Sequence, residues 1–156
     1  PSWLYQVKMG ATTVWEHWDG MKPDGTMWSA DMNSFNHYAY GAVGEWLYRA
    51  VAGLEIDKAK PGYQHTFIHP HIGGGLTYVK ASYASVYGDV KVHWEHQGNT
   101  VTLNVHVPCN ATATVVLDHA EDASGPEGGA LVPATGGYTA GIGSGCATFT
   151  YRLTEE

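Results

Sequence analysis

LTYVKASYASVYGDVKVHWEHQGNTVTLNVHV, residues 76–107, decides the fold class. Apolar and polar residues alternate along it in three runs, 76–83, 88–96 and 100–107, and this period of two is that of extended strands with one buried face. Gly98-Asn99 is a turn between the second and third runs, and Gly73-Gly74-Gly75 ends the segment on its upstream side. Further out, residues 65–70, 112–118 and 147–153 carry the same period. Several short strands at this spacing, with no helical pattern between them, predict an antiparallel β-sandwich, jelly-roll-like, over about residues 62–153. The Gly- and Pro-rich stretch 124–145 is expected to be a long mobile loop before the closing strand.

Upstream of Pro61-Gly62 the period is helical. Trp3, Leu4 and Val7 would share one face of a short helix over residues 2–9, with Gly10 where a left-handed terminal residue belongs. No period holds from 11 to 32, and Asp19-Gly20, Pro23 and Asp24-Gly25 are turn signals, so this is a long loop of the kind that is usually functional. Asn33 or Ser34 can cap a second helix, whose apolar residues Phe35, Ala39, Ala42, Val43, Trp46, Leu47 and Ala50 recur at three and four. Gly53 would stop it after about five turns, at ~3.6 residues per turn. Glu45 and Arg49 stand four apart on its exposed side. Its remaining faces are apolar or very small, which suits a larger helical assembly.

Composition sets bounds on function. The 156 residues are 44% hydrophobic and 15% charged, as in an ordered domain, and twenty glycines, six tryptophans and ten tyrosines suit turn-rich β structure with aromatic-lined surfaces. A net charge of −7 with only eight Lys and Arg argues against nucleic acid and anionic membranes as partners, since both need clustered cations. No apolar run approaches the ~20 residues of a membrane span, and the N-terminus has no signal-peptide pattern. Pro1, followed at once by SWLYQV, reads as entry into the middle of a packed element, so the natural N-terminus is expected elsewhere. Cys109 and Cys146 lack CxxC spacing; two buried free thiols are expected ahead of a single disulfide.

Chemistry concentrates in GATTVWEHWDG, residues 10–20, where Glu16 sits between Trp15 and Trp18. Indole faces stack on the C–H faces of a pyranose, and partial desolvation raises a carboxyl pKa towards the working range of a general acid or base. The plainer alternative is a surface acid among core tryptophans, and spacing alone does not separate the two.

Three runs do separate them. PSWLYQVKMGATTVWEHWDG (1–20), MNSFNHYAYGAVGEWLYRAVAGLE (32–55) and HPHIGGGLTYVKASYASVYGDV (69–90) resemble, in this order, the end of the catalytic domain and the C-terminal sandwich of family 78 α-L-rhamnosidases. The resemblance implies that residues 1–60 are the terminal fragment of an (α/α)₆ catalytic barrel and that 61–156 are the C-terminal sandwich domain. It implies that Glu16 is the general base of an inverting hydrolysis that releases terminal α-L-rhamnose from rhamnosides. Trp15 and Trp18 would help wall the sugar pocket, and His37 would hydrogen-bond a rhamnose hydroxyl. The general acid lies far upstream in that family, so the isolated chain is expected to be inactive. Packing is expected to explain Trp3, Trp28 and Trp46, and His17 is given no role.

A non-catalytic carbohydrate-binding or structural sandwich module is the rival reading. No cofactor and no metal are expected. His65, His69 and His71 form an HxxxHxH cluster, but Pro70 and the end of a strand are expected to keep the imidazoles apart; Asp118, Glu121 and Asp122 lack the spacing of a calcium loop. The expected partners are rhamnose-containing glycosides and, through the exposed helices, a second copy of the chain.

Overall fold

The computed structural model describes residues 2–127 and 129–154, so Pro1 lies outside the described residues. The chain divides into two compact units, Pro1–Trp46 and Leu47–Glu156.

In the first unit the short helix forms as the apolar spacing predicts: α1 is Trp3–Lys8, and Gly10 takes the left-handed conformation at φ 81°. The second helix starts later than its periodicity suggests. A 3₁₀ turn begins only at Ala39–Ala42 and leads into α2, Val43–Trp46. Residues 33–38 fail to be helical because their backbone groups are spent elsewhere. Ser34 and Glu16 exchange hydrogen bonds, the His37 N–H donates to the Val14 carbonyl at 2.8 Å, and Phe35 packs edge-on against Trp15 at 5.0 Å. Tertiary pairing has overridden a weak helical propensity.

In the second unit a π-helical turn, Leu47–Val51, ends at Gly53 with φ 81°. A Cβ there would lie 2.2 Å from the Pro70 nitrogen, so both the dihedral and the space demand glycine. Ten strands follow: β1 Leu54–Ile56, β2 His65–Ile68, β3 Tyr78–Ser85, β4 Gly88–Gln97, β5 Thr100–Val107, β6 Thr112–Asp118, β7 Ala120–Ser124, β8 Val132–Ala134, β9 Gly137–Ile142 and β10 Gly145–Leu153. They form two five-stranded sheets, β1-β2-β6-β9-β8 and β3-β4-β5-β10-β7.

The sandwich is mainly β, as expected, with one parallel pair: β2 runs alongside β6 from His65↔Thr112 to Ile68↔Val115. Its first sheet already includes β1, upstream of the Pro61-Gly62 signal. The inward alternation is regular. Val90, Val92 and Trp94 of β4, the odd-numbered residues 101–107 of β5, Ala113, Val115 and Leu117 of β6, and Phe149 and Tyr151 of β10 form one core with Ile68 and Leu54. Each large side chain so buried contributes about 1.5–3 kcal/mol. Trp94 is fully buried, and its indole N–H donates to the Val51 carbonyl at 2.9 Å. Burial, and secondarily the Asp118 carboxylate, push the Tyr151 phenol well above its ordinary value of 10.0.

Two expectations are corrected. The stretch 124–145 is not a loop: β8 and β9 form a hairpin there, and β9 pairs with β6 from Ala113↔Ile142 to Asp118↔Gly137. Gly137 permits this because a Cβ would fall 1.9 Å from the Leu117 carbonyl oxygen. The cysteines are free, but exposed rather than buried. Cys109 lies in the turn after β5, and Cys146 precedes the inward-facing Ala147 on β10. Among the described residues no helix is long and apolar enough to cross a membrane.

Candidate active site

The loop between α1 and residue 39 is folded around Glu16. Gln6, on α1 and nearly fully buried, holds it from below: its side-chain oxygen accepts from the Trp15 N–H at 3.3 Å, and its amide donates to the His17 carbonyl at 3.3 Å. From the other side the Glu16 N–H donates to the Ser34 carbonyl at 2.8 Å, while the Ser34 N–H donates to Glu16 Oε2 at 2.9 Å. Among the described residues Glu16 Oε1 makes no hydrogen bond. One carboxylate oxygen is thus anchored and the other is left available.

Aromatic rings crowd the loop. Trp15 is 4% exposed and makes its edge contact with Phe35. Trp18 stacks on Tyr40 at 3.8 Å and meets Trp3 edge-on at 4.7 Å. The His37 imidazole is half-buried, stacks on Tyr38, and accepts from the Ala39 N–H through Nδ1 at 3.3 Å, which leaves Nε2 for another partner.

The structure also brings His17, Trp28 and Asn33, to which the sequence assigns no part in the chemistry, into this loop. His17 stacks on Trp28 at 3.8 Å, and its Nε2 is buried without a hydrogen-bond partner among the described residues. Asn33 Nδ2 donates to the Gly20 carbonyl at 2.7 Å, and the Trp28 N–H donates to the same oxygen at 3.0 Å. Trp3, Trp28 and Trp46, for which packing was the expected explanation, are each about half exposed. Only the density of aromatics around 15–40 hinted at this cluster.

The family comparisons also divide the chain in two, a few residues beyond the boundary between the two units. Residues 1–51 match the bacterial α-L-rhamnosidase six-hairpin glycosidase domain, and residues 53–131 match the bacterial α-L-rhamnosidase C-terminal domain. The chain belongs to the bacterial α-L-rhamnosidase family. An α-L-rhamnosidase of Streptomyces avermitilis is 40% identical over 152 residues, which are 96% of this chain and 15% of the relative. The crystal structure of the Streptomyces avermitilis α-L-rhamnosidase complexed with L-rhamnose superposes with a TM-score of 0.88 at 39% identity, over 96% of this chain and 15% of that one. The native α-L-rhamnosidase of Aspergillus terreus superposes at 0.82 with 36% identity, over 99% and 16%. The chain therefore spans about one-seventh of the rhamnosidases it matches.

The remaining titratable clusters lie in the second unit. His65 is absorbed by the sheet: Nδ1 and Nε2 meet the hydroxyls of Thr112 and Thr114 at 2.7 and 3.0 Å. Glu121 and Asp122 both bind Arg152, at 3.0 and 2.7 Å. His69 and His71 are not separated by Pro70 as expected. Their rings are 4.9 Å apart, and His69 Nε2 bonds Asp118 Oδ2.

Proposed function

We propose that this chain is the end of the catalytic barrel followed by the C-terminal sandwich of an inverting α-L-rhamnosidase, and that Glu16 is the general base. The observation that carries the reading is the half-anchored carboxylate: Oε2 is held by the Ser34 N–H while Oε1 is left to take a proton. A base fixed in this way positions a water for attack on the anomeric carbon of a terminal rhamnose. Trp18 and His37 would contact the sugar, and Trp15 would support them from beneath.

Inversion needs a second carboxyl group about 6.5–9.5 Å away, which leaves room for the water. Of the nearby acids, Asp24 does not suit that role: the hydroxyl and N–H of Thr26 engage its carboxyl and hold it below the usual range. The acid would come from the part of the barrel outside this chain. That part would also cover the apolar cavity of about 650 Å³ lined by Trp3, Ala42, Val43 and Trp46.

The test is hydrolysis of an aryl α-L-rhamnoside, with the anomer first released read by NMR. The complete enzyme is expected to give the inverted sugar. Glu16→Gln in that enzyme should lower turnover by about 10²–10⁴-fold, the usual share of a general base, while leaving the fold intact. The 156-residue chain alone should give no signal. Near-normal turnover by the variant, or retention of configuration, would overturn the assignment.

A further inference from the structure

Outside the carboxylate site, the structure places three metal-ligating side chains together at one end of the first sheet. His69 and His71 follow β2, and Asp118 ends β6, the strand beside it. One ligand atom from each lies within 4.8 Å of the other two. The HxxxHxH spacing in the sequence offers a different trio, but His65 is consumed by two threonine hydroxyls and Asp118 takes its place.

We infer that His69, His71 and Asp118 bind a borderline divalent transition metal of the zinc class, through two imidazole nitrogens and one carboxylate oxygen. Three observations carry this. The His71 imidazole is exposed and makes no hydrogen bond among the described residues, and its ring lies 4.9 Å from that of His69. The position of His71 is fixed by backbone: its N–H donates to the Ala50 carbonyl at 3.0 Å, and the preceding Pro70 is buried. Beside the trio lies a cavity of about 190 Å³ lined by Pro70, His71, Ile72, Asp118, His119 and Leu153, room enough for a water as fourth ligand.

Donor chemistry selects the ion. Calcium and magnesium prefer sets made wholly of oxygen, while two imidazoles with one carboxylate suit zinc or its neighbours in a tetrahedral arrangement completed by water. Bound there, the ion would tie the segment after β2 to the end of β6. Its effect would be on stability, independent of the proposed role of Glu16.

The test uses the full chain, stripped with a chelator and titrated with Co²⁺ alone, whose visible bands report tetrahedral binding, and then with Zn²⁺ in competition. One Co²⁺ per chain, displaced by Zn²⁺, is expected, with a thermal midpoint that rises when Zn²⁺ is added. His71→Ala and Asp118→Asn should each weaken binding at least as much as the about 10–100-fold lost with an outer-sphere partner, and His96→Ala should not. Far-ultraviolet circular dichroism verifies that the variants are folded; His71 is exposed, so its variant keeps the test open if Asp118→Asn does not fold. Co²⁺ binding that is absent in the wild type, or that survives undiminished in His71→Ala, would overturn the inference.

Discussion

Glu16 and Ser34 are joined twice: the Glu16 N–H donates to the Ser34 carbonyl, and the Ser34 N–H donates back to the Glu16 side chain. The second bond fixes the reach of the carboxylate as well as its direction. Glu16→Asp draws the carboxylate back by one methylene and breaks that bond. In the complete enzyme its turnover should fall by about 10²-fold, the size of loss that a 1 Å misplacement can cause. A kcat within a few-fold of wild type would show that the Ser34 anchor does not position the group.

Gly53→Ala tests the end of the second helix. The added Cβ meets the Pro70 nitrogen at 2.2 Å in a left-handed conformation, so the chain should lose more than the about 1 kcal/mol at stake in a compatible glycine substitution. Gly44→Ala, with open space around its Cβ, is the control. Equal urea midpoints for the two variants would refute the packing argument.

Tyr151 predicts an alkaline limit. Its phenol is raised in the folded state by burial and then by Asp118, so the unfolded chain loses this proton first. The group contributes nothing to the slope below the ordinary value of 10.0; above it, stability falls as pH rises through the higher folded value. Urea unfolding between about pH 9 and about pH 11 should show a steeper loss in the wild type than in Tyr151→Phe. Identical slopes would rule out a buried, raised phenol.

Self-association of the isolated chain follows from exposed apolar surface. Trp3, Leu4 and Val7 of α1 and Trp46 of α2 face solvent, with Leu4 and Val7 66% or more exposed. Surfaces of this kind seek a partner. The stripe is shorter than the helical period suggested, since Phe35 lies before the helix and packs on Trp15. Light scattering should give a mass that grows with concentration and falls back in Trp46→Ser. A concentration-independent monomer, with the fluorescence lost in Trp46→Ser matching a solvated indole, would contradict this.

The strands with strict alternation were legible without a structure. In β4, β5, β6 and β10 each residue choice agrees with one face of a sheet, so local pattern and global fold coincide. α1 and the stop at Gly53 were legible for the same reason, because apolar spacing and terminal glycines act over only a few residues. The motif around Glu16 was legible as a resemblance, and its aromatic setting as composition.

Other features depended on partners distant in sequence. The glycine-rich residues 124–145 carry little strand propensity, and β9 exists because β6 supplies its hydrogen bonds and Gly137 lets the backbones approach. The segment 33–38 reads as helix, but several of its donors and acceptors are claimed by residues 13–16. Asp118 stands 47 positions beyond His71, and only the parallel pairing of β2 with β6 brings the two to one end of a sheet. By itself, then, the sequence determined the family, the two-part character of the chain and the faces of its strongly patterned strands, because periodicity and turn chemistry are local. Tertiary structure alone decided where the second helix begins, which glycine-rich segment becomes sheet, and which histidines meet a carboxylate, because a backbone group bonds whichever partner the completed fold brings within reach.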